Sequence, residues 1–333
     1  MHKTRGVVSL FLGLGLVAAL PAQQSRLLVA QKGLASLAIV DPASGKVLMS
    51  VPEGGITGHE VIASPDGRHA FVPIYGNSGV GKPGTNGSKI VEIDLASGKI
   101  VGTIDFGHGV RPHCALIGPK DGMLYVTTEI DKTVTIIDPK TLKIVGTIST
   151  DQPESHMLVL SHDGRRGYTA NVGPGTVSVL DIAARKTIKV IPISGNTQRI
   201  AISNDDRWVF TADQTKPQMA VIDTRTNQVA HWIPVESYGY GGAMTPDGKW
   251  FLVALPDVNK VAVIDVQAMK VVRNISLSAG TDPQEVLIRP DGKMAYVSCM
   301  QSNQVAQIDL GNWTVTRMIA TGKATDGLAW AGQ

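Results

Sequence analysis

Three histidines, His59, His113 and His156, stand 54 and 43 residues apart. Neither gap fits a local ligand motif of the HxxEH kind, so the imidazoles can meet only if the chain repeats with a similar period. If they do meet, three His nitrogens with an open position form a catalytic metal arrangement. Imidazole suits zinc, copper, iron or nickel, so the implied cofactor is a divalent transition metal. The plainer reading is a set of polar side chains lining a wet channel. A third chemistry uses the neighbours of His113. A histidine acting as general base on water, with Arg111 or Arg199 stabilising an oxyanion, would make a hydrolytic site.

The period exists. An apolar residue followed by Asp occurs at Val40-Asp41, Ile93-Asp94, Ile137-Asp138, Leu180-Asp181, Ile222-Asp223, Ile264-Asp265 and Ile308-Asp309, with Asp-to-Asp spacings of 53, 44, 43, 42, 42 and 44. A turn signal precedes each interior repeat: SPDG (64–67), PKDG (119–122), SHDG (161–164), SNDD (203–206), TPDG (245–248) and RPDG (289–292). Between these marks lie short runs with strand length and turn-forming ends, and no helical spacing competes. The repeated Asp falls in a hairpin, where its carboxylate can accept backbone N–H bonds, which assigns it to structure rather than chemistry.

There are seven Asp marks and six turn marks. The first repeat begins at its second strand (Leu27 to Ala30), and the chain ends in an apolar run, Leu328 to Ala331, that reads as a first strand with nothing after it. Joining the two closes seven four-stranded units into a ring with no unpaired edge between units. The expectation is an all-β, seven-bladed β-propeller over 23–333, each blade's first strand lining the central channel. Counting back eight residues from each turn gives the channel-mouth positions His59, Cys114 or His113, His156, Gln198, Tyr240 and Gln284, with Asp326 nearest on the last strand. Glu60, Arg111, Arg199, Glu285 and Tyr238 stand beside them. His59, His113 and His156 are thus the candidate metal ligands. Glu60, Gln198, Tyr240, Gln284 and Glu285 are candidate ligand-binding residues. His108, in the run Gly107 to His113, is a further candidate for the cluster.

Tyr125-Val126-Thr127-Thr128, Tyr168-Thr169-Ala170-Asn171 and Tyr296-Val297-Ser298-Cys299 each follow a PDG-like turn and precede an xVxxID strand. They resemble the YVTN repeat, over essentially all of 25–331. The chain is similar to the secreted or periplasmic YVTN-repeat (YncE-like) propellers and, more distantly, to lactonase propellers, whose Pro-His segment Pro112-His113 loosely resembles. That resemblance implies fold more than activity, since propellers host many functions. Three functions follow as expectations. The first is a binding propeller that takes a small molecule, metal or protein on the mouth face. The others are a lactonase-like hydrolase and a metal-dependent redox or carrier protein.

Met1 to Ala22 reads as a secretory signal: Lys3 and Arg5, an apolar stretch from Gly6 to Leu20, then Leu20-Pro21-Ala22. The stretch is too short for a comfortable membrane span, so a periplasmic or secreted protein is expected. The formal charge of +3 falls to +1 without Lys3 and Arg5, which gives no broad attraction to nucleic acid or acidic lipid. Cys114 and Cys299 lie far apart in the repeat array and are expected as free thiols. The segment from Gly76 to Ser88, GNSGVGKPGTNGS, is inserted between two strands and would emerge on the mouth face, either as a lid or as a plain hairpin loop. Its Gly76-x4-Gly81-Lys82 lacks the Ser/Thr and the helix of a phosphate loop.

Overall fold

The computed structural model describes residues 25–332; the expected signal segment lies outside the described residues. The described chain forms seven four-stranded antiparallel sheets and two short 3-10 turns, Lys32–Leu34 and Pro256–Val258. We number the sheets as blades 1 to 7 in chain order. Blade 1 combines 26–52 with the C-terminal strand; blades 2 to 7 occupy 62–105, 112–149, 155–192, 197–234, 242–276 and 283–320.

The ring closes as the repeat count requires. Strand Thr325–Ala331 pairs antiparallel with Arg26–Gln31, in the register Leu27↔Trp330, Leu28↔Ala329 and Val29↔Leu328. Its apolar side chains complete a cluster of Leu27, Val29, Ala38, Val40, Tyr296, Val305 and Ile319, which joins blade 7 to blade 1. The other core clusters also straddle neighbouring blades, so the hydrophobic core is a set of seams between sheets.

Local sequence explains the regularity. The residue after each xVxxID strand is fixed by its Asp, whose carboxylate accepts a backbone N–H two or three residues on: from Ala43, Ser97, Lys140, Ala184, Arg225, Gln267 and Gly311. All seven Asp residues are therefore turn formers. In every blade the pairing of the third and fourth strands shifts by one residue near its start, for example between Ile39 and Val40 and between Ile136 and Ile137. Such bulges increase local twist, which a propeller blade needs. Cys114 and Cys299 are free and buried, and burial pushes both thiols up to about 12.

The turns between first and second strands lie on one face of the ring, here the far face. The entrances of the first strands and the hairpins between second and third strands lie on the other, the mouth face. Leu328 is 7% exposed inside the closing seam. Leu328→Ala should lower the unfolding free energy by about 2–4 kcal/mol, read by urea denaturation. A loss below about 0.5 kcal/mol, an ordinary surface value, would mean that closure does not hold the ring.

Candidate functional site

The mouth is built on irregular backbone. Where five of the seven inner strands begin, the ladder with the second strand skips residues, and a polar side chain lies in each gap. His113 and Cys114 fall between the paired Pro112 and Ala115, and His156 between Ser155 and Met157. Gln198 and Arg199 lie between Thr197 and Ile200, Gln284 and Glu285 between Pro283 and Val286. Asp326 lies in the equivalent gap of the closing strand, between Thr325 and Leu328. The preceding residue is left-handed in four blades: Arg111, Glu154, Asp282 and Ala324, with φ of 52, 56, 50 and 54°. Such a conformation is uncommon outside glycine and turns the chain sharply. Each bulge frees a side chain from the ladder and aims it at the axis.

Two groups of side chains result. The first is aromatic. His59, His113 and His156 come together, with ring centroids 5.6 Å apart for His59 and His113 and 3.5 Å for His113 and His156. Tyr75, from the end of blade 2's second strand, touches all three at 4.7, 5.2 and 5.9 Å. All four side chains are buried. Burial holds the imidazoles neutral: His59 is lowered to about 4, and His113 and His156 lie well below their ordinary value, helped by the charge of Arg199. His59 Nε2, His113 Nδ1 and His156 Nδ1 are buried with no hydrogen-bond partner. An unmet polar atom at such depth is uncommon; His156 Nδ1 lies 3.9 Å from Glu129 Oε2.

The second group is ionic. Arg199 reaches across the axis from blade 5, donating from Nη1 to Glu60 (2.7 Å, before blade 2's inner strand) and Glu285 (2.9 Å, blade 7). Its Nη2 lies 3.6 Å from Asp326 of blade 1, and the guanidinium stacks 4.6 Å from the Tyr240 ring. Burial raises Glu60 to about 8 and Glu285 to about 6, with Arg199 opposing in both. Gln284 is tied to Asp282 instead (2.8 Å), and Gln198 is half-buried.

Sequence reasoning missed two members. Tyr75 donates to Glu129 Oε2, and Glu129 Oε1 accepts from Arg111 Nη1 (3.2 Å) and Gly81 N (3.1 Å). The signal was present: Glu129 ends the hairpin after Tyr-Val-Thr-Thr where sister blades carry Val172, Gln214, Pro256 or Met300. The departure from symmetry sits at the exit of a second strand, away from the inner-strand entrances that carry the histidines. Arg111 does not face an open site. It clamps the inserted segment, donating to Asn86 Oδ1 (2.7 Å), Lys82 O (2.7 Å) and Gly79 O (3.4 Å). The insertion is thus folded over the blade 3 side of the mouth and fastened there. His108 stays outside the cluster, exposed and paired with Asp131 at 3.0 Å.

The expected ligand set for a divalent metal does not assemble from protein groups. Among the described residues no group of three or more His, Cys, Asp or Glu is arranged to hold a metal ion. His113 and His156 meet ring against ring, tilted by 31°, instead of converging on one point through their nitrogens.

The sequence family described as the Cytochrome D1 heme domain matches residues 117–328. No curated protein is similar to the chain in sequence. Several solved structures share its fold. Hydrazine synthase of Kuenenia stuttgartiensis superposes with a TM-score of 0.71 at 18% identity, covering 83% of this chain and 90% of that one. The periplasmic gluconolactonase PpgL of Pseudomonas aeruginosa gives 0.72 at 17%, covering 92% and 99%. The dihydro-heme d1 dehydrogenase NirN, solved in complex with DHE, gives 0.67 at 14%, covering 95% and 77%. Among the described residues no helix is long and apolar enough to cross a membrane.

Glu60 supplies a pH test. Its folded pKa, about 8, lies above the ordinary 4.5. Its contribution is therefore fully present below about pH 4.5 and is lost as pH rises towards 8. Glu60→Gln should accordingly gain stability relative to the parent between pH 5 and 8. Urea midpoints at four pH values would show it; parallel profiles for the two proteins would refute the raised pKa.

Proposed function

Because the chain belongs to the cytochrome D1 heme domain family, we propose that its channel mouth binds a heme-type tetrapyrrole, in an exported propeller of the YVTN-repeat kind. The observation that carries this reading is the trio of buried, neutral imidazoles, each with an unpartnered nitrogen. Neutral imidazole is the form that ligates iron or hydrogen-bonds a group held on it. The donor set therefore fits. His113 and His156 are the residues that would hold the group, with His59 beside them and Tyr75 closing the wall. Bound iron would supply one-electron chemistry; the protein would supply imidazole nitrogens, exclusion of water and a low-dielectric surround.

The ionic half of the mouth would act on the ligand's periphery. Arg199 is surrounded by Glu60, Glu285 and Asp326, whose carboxylates oppose a ligand carboxylate there, while its Nε has no hydrogen-bond partner. Lys32, 3.9 Å from Asp326 and partly exposed, is the cation at the rim that remains available to one. Glu60 and Glu285, with their raised pKa values, would hold or pass a proton near the bound group.

A second reading, hydrolysis of a small lactone, draws on the likeness to the gluconolactonase fold and on the same neutral histidines, which are in the state a general base requires. In it His113 takes a proton from water as the water attacks the lactone carbonyl, and the ring oxygen leaves with a proton. Arg111 and Arg199, the expected oxyanion stabilisers, are both committed to carboxylates, and this favours the tetrapyrrole reading.

Hemin titrated into the purified full chain should shift the Soret band with one-to-one stoichiometry. His113→Ala and His156→Ala should each weaken that binding by about tenfold or more, equivalent to about 1.4 kcal/mol. Absence of a saturable shift would sink the reading. Turnover of glucono-1,5-lactone that is lost in His113→Ala would replace it with the hydrolase.

A further inference from the structure

Away from the mouth, the far face departs from sevenfold symmetry along one arc. The first residue of the second strand is Trp208 in blade 5 and Trp250 in blade 6, where other blades have His69, Leu124, Arg166 or Met294. Trp313, in the outer hairpin of blade 7, and Trp330, on the closing strand, continue the arc. All four indoles are half-buried. They line cavities at three consecutive seams between blades. One of 610 Å³ at seam 5/6 holds Trp208 and Trp250, one of 420 Å³ at seam 6/7 holds Trp250 and Trp313, and one of 310 Å³ at seam 7/1 holds Trp330. Each is large enough for a small ligand.

We propose that this arc binds a neutral polysaccharide or oligosaccharide chain, successive sugar units lying in successive seams. An indole offers a flat apolar face that matches the C–H face of a pyranose, while carboxylates beside it accept hydroxyl hydrogen bonds. Each seam has both. Asp205 and Asp247 line the first and Asp247 and Asp291 the second, so that Trp250 and Asp247 serve two seams. Asp205 and Asp247 each use Oδ1 within their own turn, accepting from Ser203 and Arg207 or from Thr245 and Lys249. Their Oδ2 atoms make no hydrogen bond; the nearest cation to that of Asp247 is the exposed Lys249 ammonium at 3.8 Å. The indoles are held in place by neighbours: the Arg207 guanidinium lies over one face of the Trp208 ring at 4.4 Å, and Trp250 meets Trp313 edge-on at 5.8 Å. Trp330 Nε1 is buried with no partner and is a donor available to the third unit.

The lining also selects against charge. Seam 5/6 presents Asp205, Asp247 and Asp265 against Lys249 alone, which repels anionic polymers and acidic lipid. The separation of the cavities, one per seam, suits a chain of similar units better than a flat protein interface.

The test uses the full chain and isothermal calorimetry with cellohexaose, maltohexaose and chitohexaose. At least one should bind. Trp250→Ala, which removes the indole shared by two seams, should weaken it by about tenfold or more, and Trp208→Ala should weaken it as well. Trp250→Phe, which keeps a ring, should lose less. Trp232→Ala, on the exposed outer strand of blade 5, and His113→Ala, at the mouth, should leave it unchanged. Binding of none of the three hexasaccharides, or equal binding by Trp250→Ala, overturns the proposal. A dimer seen by sedimentation that Trp250→Ala dissociates, without sugar binding, would assign the face to self-association instead.

Discussion

The buried guanidinium of Arg199 is the constraint around which the mouth is arranged. A fixed positive charge at 3% exposure is tolerable only if acceptors and opposite charges surround it. Those groups come from separate blades: Glu60 from blade 2, Glu285 from blade 7 and Asp326 from the closing strand. One side chain therefore ties four of the seven blades across the channel axis, one of them through the last strand of the chain. Closing the ring and forming the ion cluster are two aspects of one event, since Asp326 reaches Arg199 only when its strand is seated beside Arg26–Gln31.

This charge also shapes its neighbours. Arg199 adds to burial in keeping His59, His113 and His156 neutral, while burial, with the neighbouring carboxylates adding to it, raises Glu60 and Glu285. The mouth is thus split into an apolar wall of imidazoles and Tyr75, and an ionic wall in which charges balance internally. A ligand entering it meets unpaired nitrogens on one side and a guanidinium ringed by three carboxylates on the other.

Much of the architecture was legible because repetition amplifies weak signals. A single Asp after an apolar run says little, but seven at near-constant spacing fix the blade count, and the missing first strand of the first repeat points to the tail that replaces it. The meeting of His59, His113 and His156 was legible for the same reason. What the chain did not disclose was pairing in three dimensions. Arg111 and Arg199 read as free cations until Glu129, Glu60, Glu285 and Asp326 are seen against them, because those partners lie 18 to 139 residues away in sequence. The ring-to-ring stacking of His113 on His156 was equally hidden. It depends on rotamers and on a one-residue bulge, and neither leaves a mark in spacing.

That bulge has a wider meaning. At five inner strands residues facing the axis are surplus to the ladder, so exchanging one of them leaves the pairing on either side in place. Each such blade thereby offers an independently replaceable tooth on a common hub. A protein built this way can be refitted to a new guest tooth by tooth, while the wheel itself keeps turning out the same shape.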